Sequence, residues 1–371
     1  MKICITRSER YAYSETFIND QIAGLSKLAD VFTIHSGRYP ERSEDNKLLS
    51  PLPYWILHKM LKSVIGRDNY FSNYGMRSYL SRNKIDVVLA NYGLSASHFV
   101  DVCRDLSIPL LPIFHGHDAT DNRILNKYGE KYKTLFEYAS SIIVVSEDLR
   151  QQLTRLGAAE QKLVVVPCGV DITKFKPRNN EKGQMFLAVG RFVSKKGPLH
   201  TIKAFHEAWK KFPEARLTMV GAHKGLYQDC ADLVNSLSMN SAVVFPGIMN
   251  HDQVSELMSK STAFVQHSMT APNGDTEGTP VSIVEASASG LPVISTFHGG
   301  IKQAVIHEET GFLVEEGDVD SMANYMKQIL SDQQRAKTMG EAGRQHIQAN
   351  YNQELQIRKL YDLAKVAIAK I

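Results

Sequence analysis

Apolar residues along this chain fall in short, continuous, β-branched runs, separated by longer stretches whose apolar positions recur at helical spacing. Strands are predicted at 3–6, 31–35, 86–90, 109–114, 142–145 and 163–166, then at 186–189, 217–220, 243–245, 263–265, 292–295 and 312–314. Unbroken runs of this kind suit strands buried on both faces. Their alternation with helices predicts parallel sheets covered on each side. The fold class expected is α/β, with two Rossmann-like, doubly wound domains. A polar stretch carrying Pro177 and Gly183 lies between two apolar runs and predicts a linker. Near the end of the chain Ile357, Leu360, Tyr361, Ala364, Ala367 and Ile368 share one face of a terminal helix, which must dock on something.

One predicted helix stands apart. Between 53 and 67, Tyr54, Trp55, Ile56, Leu57, Met60, Leu61, Val64 and Ile65 form a wide apolar face, with His58, Lys59 and Lys62 opposite and Arg67 just beyond. Such a helix either packs its stripe on its own domain or lies on an anionic membrane surface, with its lysines at the headgroups. Composition narrows the rest. With 371 residues, 22% charged and 43% hydrophobic, the chain is long enough for two cores and is neither disordered nor collagenous. A net charge of +4 gives no reason to expect a nucleic-acid partner. Cys4, Cys103, Cys168 and Cys230 have neither metal-ligand nor CxxC spacing, which predicts a cytoplasmic protein. No apolar signal region opens the chain and no apolar run reaches membrane-spanning length, so neither a secretory signal nor a transmembrane helix is expected.

The chemistry concentrates at 273–294, where a loop with Gly274 and Gly278 leads into a helix and then a strand. Thr279 reads as the helix N-cap, Pro280 as its first residue and Gly290 as its C-terminal stop. Glu277 then lies before the helix and Glu285 inside it, on the order of 10 Å apart. The helix N-terminus between them favours an anion. A carboxylate, an anion cradle and a second carboxylate suit a sugar–diphosphate–ribose molecule, because carboxylates accept hydrogen bonds from neighbouring hydroxyls. Gly190, Arg191 and Lys196 follow another strand end, where two cations can neutralise a diphosphate as it leaves. Lys195 reads as a solvated charge on the same turn. His115 and His117 both follow the strand at 109–114, and composition does not choose between them. Asp118 either orients an acceptor or caps the next helix. Gly299 and Gly300 form a turn or a close backbone approach after the strand at 292–295.

These residues resemble a known family. The Glu277–Glu285 segment is similar to the Glu-x7-Glu motif of retaining glycosyltransferases of family four, group 1, which have the GT-B fold. Val189–Gly197 resembles that family's Gly-Arg…Lys-Gly turn. Val166–Asp171 with Phe175 resembles its linker signature, with Cys168 where Asn is common. Phe114–Asp118 resembles its His-Gly-x-Asp loop, and Ser14–Ile18 recurs in an exopolysaccharide or colanic-acid-type branch. The resemblance implies an acceptor domain over 1–176, a donor domain over 177–352, a terminal helix over 353–371 crossing back to the first domain, and an active site in the cleft between the domains. It implies a retaining transfer of a hexose from a nucleotide-diphosphate sugar to a glycan or lipid-linked acceptor in surface polysaccharide biosynthesis. The resemblance favours His115, which would contact the transferred sugar and the acceptor side of the reaction, with Glu277 at the sugar hydroxyls and Glu285 at the ribose diol. Arg191 and Lys196 would hold the diphosphate, with Gly190, Gly278, Thr279, Pro280, Gly299 and Gly300 around the donor.

No cofactor and no metal are expected, since two cations can do the work of Mg²⁺. The expected location is cytoplasmic, at the inner face of the membrane if the helix at 53–67 meets lipid. The family's Gly-rich loop after the first strand is replaced here by Arg7–Tyr13, with Ser14 reading as the following N-cap. That replacement suggests Arg7 or Arg10 at a charged acceptor. The alternatives on the same architecture are a nucleotide-sugar epimerase or a glycan phosphorylase. From another class, an inactive nucleotide-sugar-binding scaffold also remains open.

Overall fold

In a computed structural model of the chain, residues 1–9, 15–36, 40–61, 70–178 and 183–370 are described. Arg10, Ser14, residues 62–67 of the amphipathic segment and 179–182 of the expected linker lie outside them. The chain divides into two compact units: Met1–Pro167 with Glu354–Ile371, and Cys168–Gln353.

In the first unit the apolar runs become β1 (Lys2–Thr6), β2 (Asp30–His35), β4 (Val87–Asn91), β5 (Leu110–Phe114), β6 (Ile142–Val144) and β7 (Leu163–Val165). A two-residue strand, β3 (Arg42–Ser43), pairs antiparallel with β2 at the sheet edge. It is too short and polar to leave a periodic signal. The order is β3-β2-β1-β4-β5-β6-β7. In register, Ile3 lies between Val31 of β2 and Val87 of β4. Ile3, Ile5, Val88, Leu89, Leu111 and Ile143 are all fully buried, as expected for strands sandwiched by helices. Each such side chain contributes about 1.5–3 kcal/mol of burial free energy.

The second unit has an all-parallel sheet of β8 (Met185–Val189), β9 (Arg216–Val220), β10 (Val243–Gly247), β11 (Ala263–Val265), β12 (Val293–Thr296) and β13 (Gly311–Val314), in the order β10-β9-β8-β11-β12-β13. Its two faces feed two cores. Phe186, Leu217, Val265, Ile294 and Phe312 pack on one side with Phe205 and Met326. Leu187, Phe264, Val293 and Leu313 pack on the other with Ile283 and Ile347. Alternate residues of one strand thus enter opposite layers, as the period of two requires.

In each sheet the chain winds outward in both directions from its first strand, leaving a switch point between β1 and β4 and between β8 and β11. Open α/β sheets bind ligands outside the carboxyl ends of strands at such points. The C-terminal helix, Gln353–Ile368, buries Ile357, Leu360, Ala364 and Ala367. Ile357 seats on Gly24 of the helix Thr16–Leu25, where an added Cβ would lie 2.7 Å from it.

The helix Leu52–Leu61 corrects the sequence expectation. His58 is buried, while Lys59 turns inward, 2.8 Å from Glu41 and 5.1 Å from the Trp55 ring centre. Trp55 donates its indole N–H to the same Glu41. Leu52, Ile56, Leu57 and Met60 are exposed instead. Glu41, outside this helix, draws in the cation and the indole, and Ile56, Leu57 and Met60 are turned outward. The stripe is thus divided: Tyr54, Trp55 and Leu61 are half-buried, with the Tyr54 ring 4.7 Å from that of Tyr74, while Ile56, Leu57 and Met60 face outward and Lys59 is held by Glu41.

Candidate active site

At the switch point of the second unit, β8 runs into Gly190, Arg191 and the tight turn Ser194–Lys196, then into helix Pro198–Trp209. Gly197 has φ +51°, and an added Cβ would sit 1.8 Å from the His267 carbonyl oxygen, so only glycine lets the turn close here. The turn sends Lys196 back alongside Gly190, whose Cβ position would lie 3.5 Å from Lys196 Cε. Lys196 Nζ then meets Glu277 Oε1 at 3.1 Å, with both side chains nearly excluded from solvent. Burial lowers the Lys196 pKa, and Lys195 and Arg191 add to the effect while Glu277 opposes it. Burial works to raise the Glu277 pKa, but Lys196 and Lys195 outweigh it and hold the carboxyl below its ordinary range. The result is a buried ion pair ready at a strand end. Arg191 beside it is exposed.

Lys195 overturns its reading as a solvated charge. It is buried and donates to Asp275 Oδ1 at 3.0 Å and to the Thr276 carbonyl at 3.2 Å, tying the β8 turn to the loop that carries Glu277. The same loop is clamped from its other side. The Glu277 N–H donates to His298 Nε2 at 3.1 Å, which leaves Nδ1 carrying the proton that bonds Glu316. Glu316 also accepts from the Thr270 N–H at 2.8 Å. Gly299 has φ +48°, and an added Cβ would lie 2.2 Å from the Glu277 carbonyl. Gly299 therefore makes a close backbone approach, and Gly300 follows as the residue preceding the short helix Ile301–Ala304.

The helix after Glu277 spans Val281–Ala288, one residue later than expected. Pro280, not Thr279, occupies the N-cap position and no side chain caps the helix, while Ser289 closes it ahead of Gly290 at φ +72°. Gly278 and Thr279 lie in the loop that leads to this uncapped end. Glu285, inside the helix, is 3.2 Å from His251 Nε2, whose ring lies against Phe175 at 5.2 Å. The two glutamates are thus held by different partners, Lys196 for one and His251 for the other. Sequence reasoning missed His251, His298, Glu316 and the role of Lys195. Of these only His298 carried a local signal, since it directly precedes Gly299-Gly300.

In the first unit, β4 and β5 deliver a cluster around His115. Asp118 is fully buried. Its carboxylate accepts from the N–H groups of His115 and Gly116 at 3.0 Å and of Gly93 at 2.9 Å. It is a clamp on the His115 backbone rather than a cap of the helix His117–Thr120, whose N-cap Gly116 has no side-chain cap bond. Asn91 donates through Nδ2 to the Thr6 carbonyl and to Gln21, so its Oδ1 faces His115 Nε2 at 2.8 Å. His115 therefore donates from Nε2 and keeps Nδ1 as a bare acceptor, buried and with no partner. Burial lowers the His115 pKa to about 4, with His117 adding and Asp118 opposing.

Tyr92 follows β4 at φ 68° and ψ 124°, a backbone state that costs a bulky residue about 1–3 kcal/mol. Its ring lies 4.9 Å from that of His115 and 5.1 Å from that of His117. Arg7 is engaged within its own unit, donating to the Glu9 carbonyl at 2.7 Å and to Asn19 Oδ1 at 2.9 Å. Among the described residues, no group of three or more His, Cys, Asp or Glu side chains could hold a metal ion. None of the described helices is long and apolar enough to cross a membrane.

Two doubly wound units, each gathering polar residues at the switch point of its own sheet, define the GT-B class of proteins. The chain matches the model of the glycosyl transferases group 1 over residues 170–346 and that of glycosyltransferase family 4 over residues 14–174. It is similar to the putative colanic acid biosynthesis glycosyltransferase WcaL of Escherichia coli K12, with 27% identity over 76% of this chain and 70% of the relative. Among solved structures it superposes on a sucrose-phosphate synthase of Thermosynechococcus elongatus with a TM-score of 0.80, 20% identity and full coverage of both chains. It also superposes on Anabaena HepE in complex with UDP-glucose, with a TM-score of 0.75, 17% identity and 98% of each chain covered. The chain belongs to the family 4, group 1 glycosyltransferases.

Proposed function

We propose that the protein is a retaining hexosyltransferase that takes its sugar from a nucleotide-diphosphate donor and passes it to a glycan or lipid-linked acceptor in surface polysaccharide biosynthesis. The buried Lys196–Glu277 pair, set between Gly190 and the uncapped helix Val281–Ala288, carries this reading. A diphosphate there gains Lys196, Arg191 and the free N–H groups of the helix end. Glu277, released from Lys196 by the anion, turns its lone pairs to the sugar hydroxyls, and Glu285 accepts from the ribose diol. The C1–O bond to the diphosphate breaks, a C1–O bond to the acceptor hydroxyl forms on the same face, and the acceptor's proton passes to the leaving phosphate oxygen. No carboxylate nucleophile takes part, in contrast to retaining glycosidases.

The unit Cys168–Gln353 binds the donor and the unit Met1–Pro167, with its terminal helix, the acceptor. Lys196 and Arg191 supply the positive charge that a metal would otherwise bring, so activity persists in EDTA. The name of the Escherichia coli relative and the UDP-glucose held by the Anabaena neighbour support the substrate class. A thermal-shift panel of UDP, GDP, ADP and their sugars tests the reading: the true donor raises the melting temperature by mass action, and no shift from any of them would refute it.

We also propose that the protein works at the cytoplasmic face of the membrane. The outward stripe Leu52, Ile56 and Met60, three positions four residues apart, supports contact with lipid. Ile56→Glu/Met60→Glu should abolish co-sedimentation with anionic liposomes, and an unchanged pellet would end the proposal.

A further inference from the structure

Three neighbouring strands of the first sheet bring one residue each to the carboxyl edge: Glu15 after β1, Tyr92 after β4 and His115 after β5. Glu15 precedes the helix Thr16–Leu25 without capping it. Its Oε1 is saturated, accepting from Ser8 Oγ at 2.6 Å and from the Tyr92 hydroxyl at 3.0 Å. Its Oε2 is buried and has no partner, as is Nδ1 of His115. Buried acceptors without donors are rare and costly, and two at one sheet edge call for an explanation. Tyr92 links them, its hydroxyl on Glu15 and its ring against His115, in the strained backbone state described above. Phe17 adds a second ring 4.7 Å from that of His115.

We propose that Glu15, Tyr92 and His115 form a subsite for the ring hydroxyls of a neutral sugar, so that the acceptor is read as a sugar and not as a phosphate. This rests on the transferase reading above and names the class of its acceptor. Both open atoms accept hydrogen bonds and neither can donate: Oε2 belongs to a carboxylate, and the one N–H of His115 is committed to Asn91. A sugar ring supplies adjacent O–H donors to such a pair and C–H faces to Phe17 and Tyr92. A phosphate supplies neither and meets the Glu15 charge. The cation that would have favoured a charged acceptor, Arg7, is held by Glu9 and Asn19.

Saturation-transfer NMR on the full chain tests this, with methyl α-glucoside, methyl α-galactoside and methyl α-mannoside as probes and glycerol 1-phosphate as the anionic control. At least one glycoside should receive saturation and glycerol 1-phosphate none. Glu15→Gln and Tyr92→Phe should each weaken glycoside binding about tenfold or more. The melting-temperature shift produced by nucleotide should stay at the wild-type value in both variants. Tyr92→Phe keeps the ring, so it decides the matter alone if Glu15→Gln fails to fold. The subsite is overturned if no glycoside binds, if glycerol 1-phosphate binds in its place, or if the variants bind glycoside as the wild type does. A wild type whose melting temperature no nucleotide shifts, but whose glycoside binding depends on Glu15, would instead refute the donor reading.

Discussion

The two switch points solve opposite problems. In the second unit the sheet edge holds charge: Lys196 and Glu277 face each other out of solvent, with Lys195 on Asp275 behind them. In the first unit the corresponding edge is organised around a neutral imidazole, oriented by Asn91 and clamped by Asp118. A preformed ion pair keeps its cation out of solvent and partnered until a polyanion takes the place of the carboxylate, which then turns to hydroxyl donors. A network with open acceptors can take hydroxyls without rearranging any charge. On the readings proposed above, the same topology offers one edge for a diphosphate and one for a sugar.

Breaking the charged edge should have the largest effect. Glu277→Ala strands Lys196 in a dry environment and should cost about 3–5 kcal/mol in chemical denaturation. Lys196→Met/Glu277→Gln should recover much of that stability while remaining inactive. If Glu277→Ala is as stable as the wild type, the pair is not buried as described.

Acid should separate the edges from ordinary histidine behaviour. His267, fully buried behind the β8 turn, has its pKa lowered to about 4 by burial, with the His200 ring stacked 5.1 Å away adding to it. The unfolded chain takes up that proton near the ordinary value of about 6.5 and the folded chain only near 4. Between those values the unfolded state binds more protons, so stability falls as pH drops through the window and is fully regained above it. The loss should reach up to about 3 kcal/mol for a fully buried imidazole, and His267→Gln should flatten it in denaturation curves taken from pH 7 to 4.5. His115 follows the same sign. With a pKa of about 4 it stays neutral in catalysis, so it should add no ionisation to the acceptor kcat/KM profile between pH 5.5 and 8.

The smallest effect tests the edge around His115. Asp118→Asn replaces an acceptor-only group that serves three backbone N–H groups and should cost about 1–3 kcal/mol. It should raise the acceptor KM by loosening His115 while leaving the donor KM unchanged. Equal changes in both would show that the clamp is merely structural.

Much of this was legible along the chain. All twelve apolar runs are strands within a residue or two of their expected limits, because a strand buried on both faces has little alternative to continuous apolar sequence. Glu277, Glu285, Arg191 and Lys196 could be placed because glycine, proline and strand ends fix the local backbone around them. What could not be read was which distant group each would meet. Lys195 and Lys196 are adjacent and chemically identical, yet one reaches Asp275 and the other Glu277. Asp118 read as an acceptor-orienting residue or a helix cap, and the three backbone N–H groups that close around it come from Gly93, His115 and Gly116. For the amphipathic helix Leu52–Leu61 the sequence left two settings of its apolar stripe open, because Glu41, which draws in Lys59 and Trp55, is invisible to a helical period.

The sequence by itself determined two doubly wound sheets, the strand ends that would carry chemistry and the residue types gathered there. These depend on period, backbone permissiveness and chain order, which are local properties. The tertiary structure decided the pairing of Lys196 with Glu277, the tautomer of His115, the burial of Asp118 and the open acceptors of Glu15 and His115. Charge state, tautomer and hydrogen-bond saturation depend on the solvent excluded and the partners supplied by segments far apart in the chain. Only the folded molecule brings those segments together.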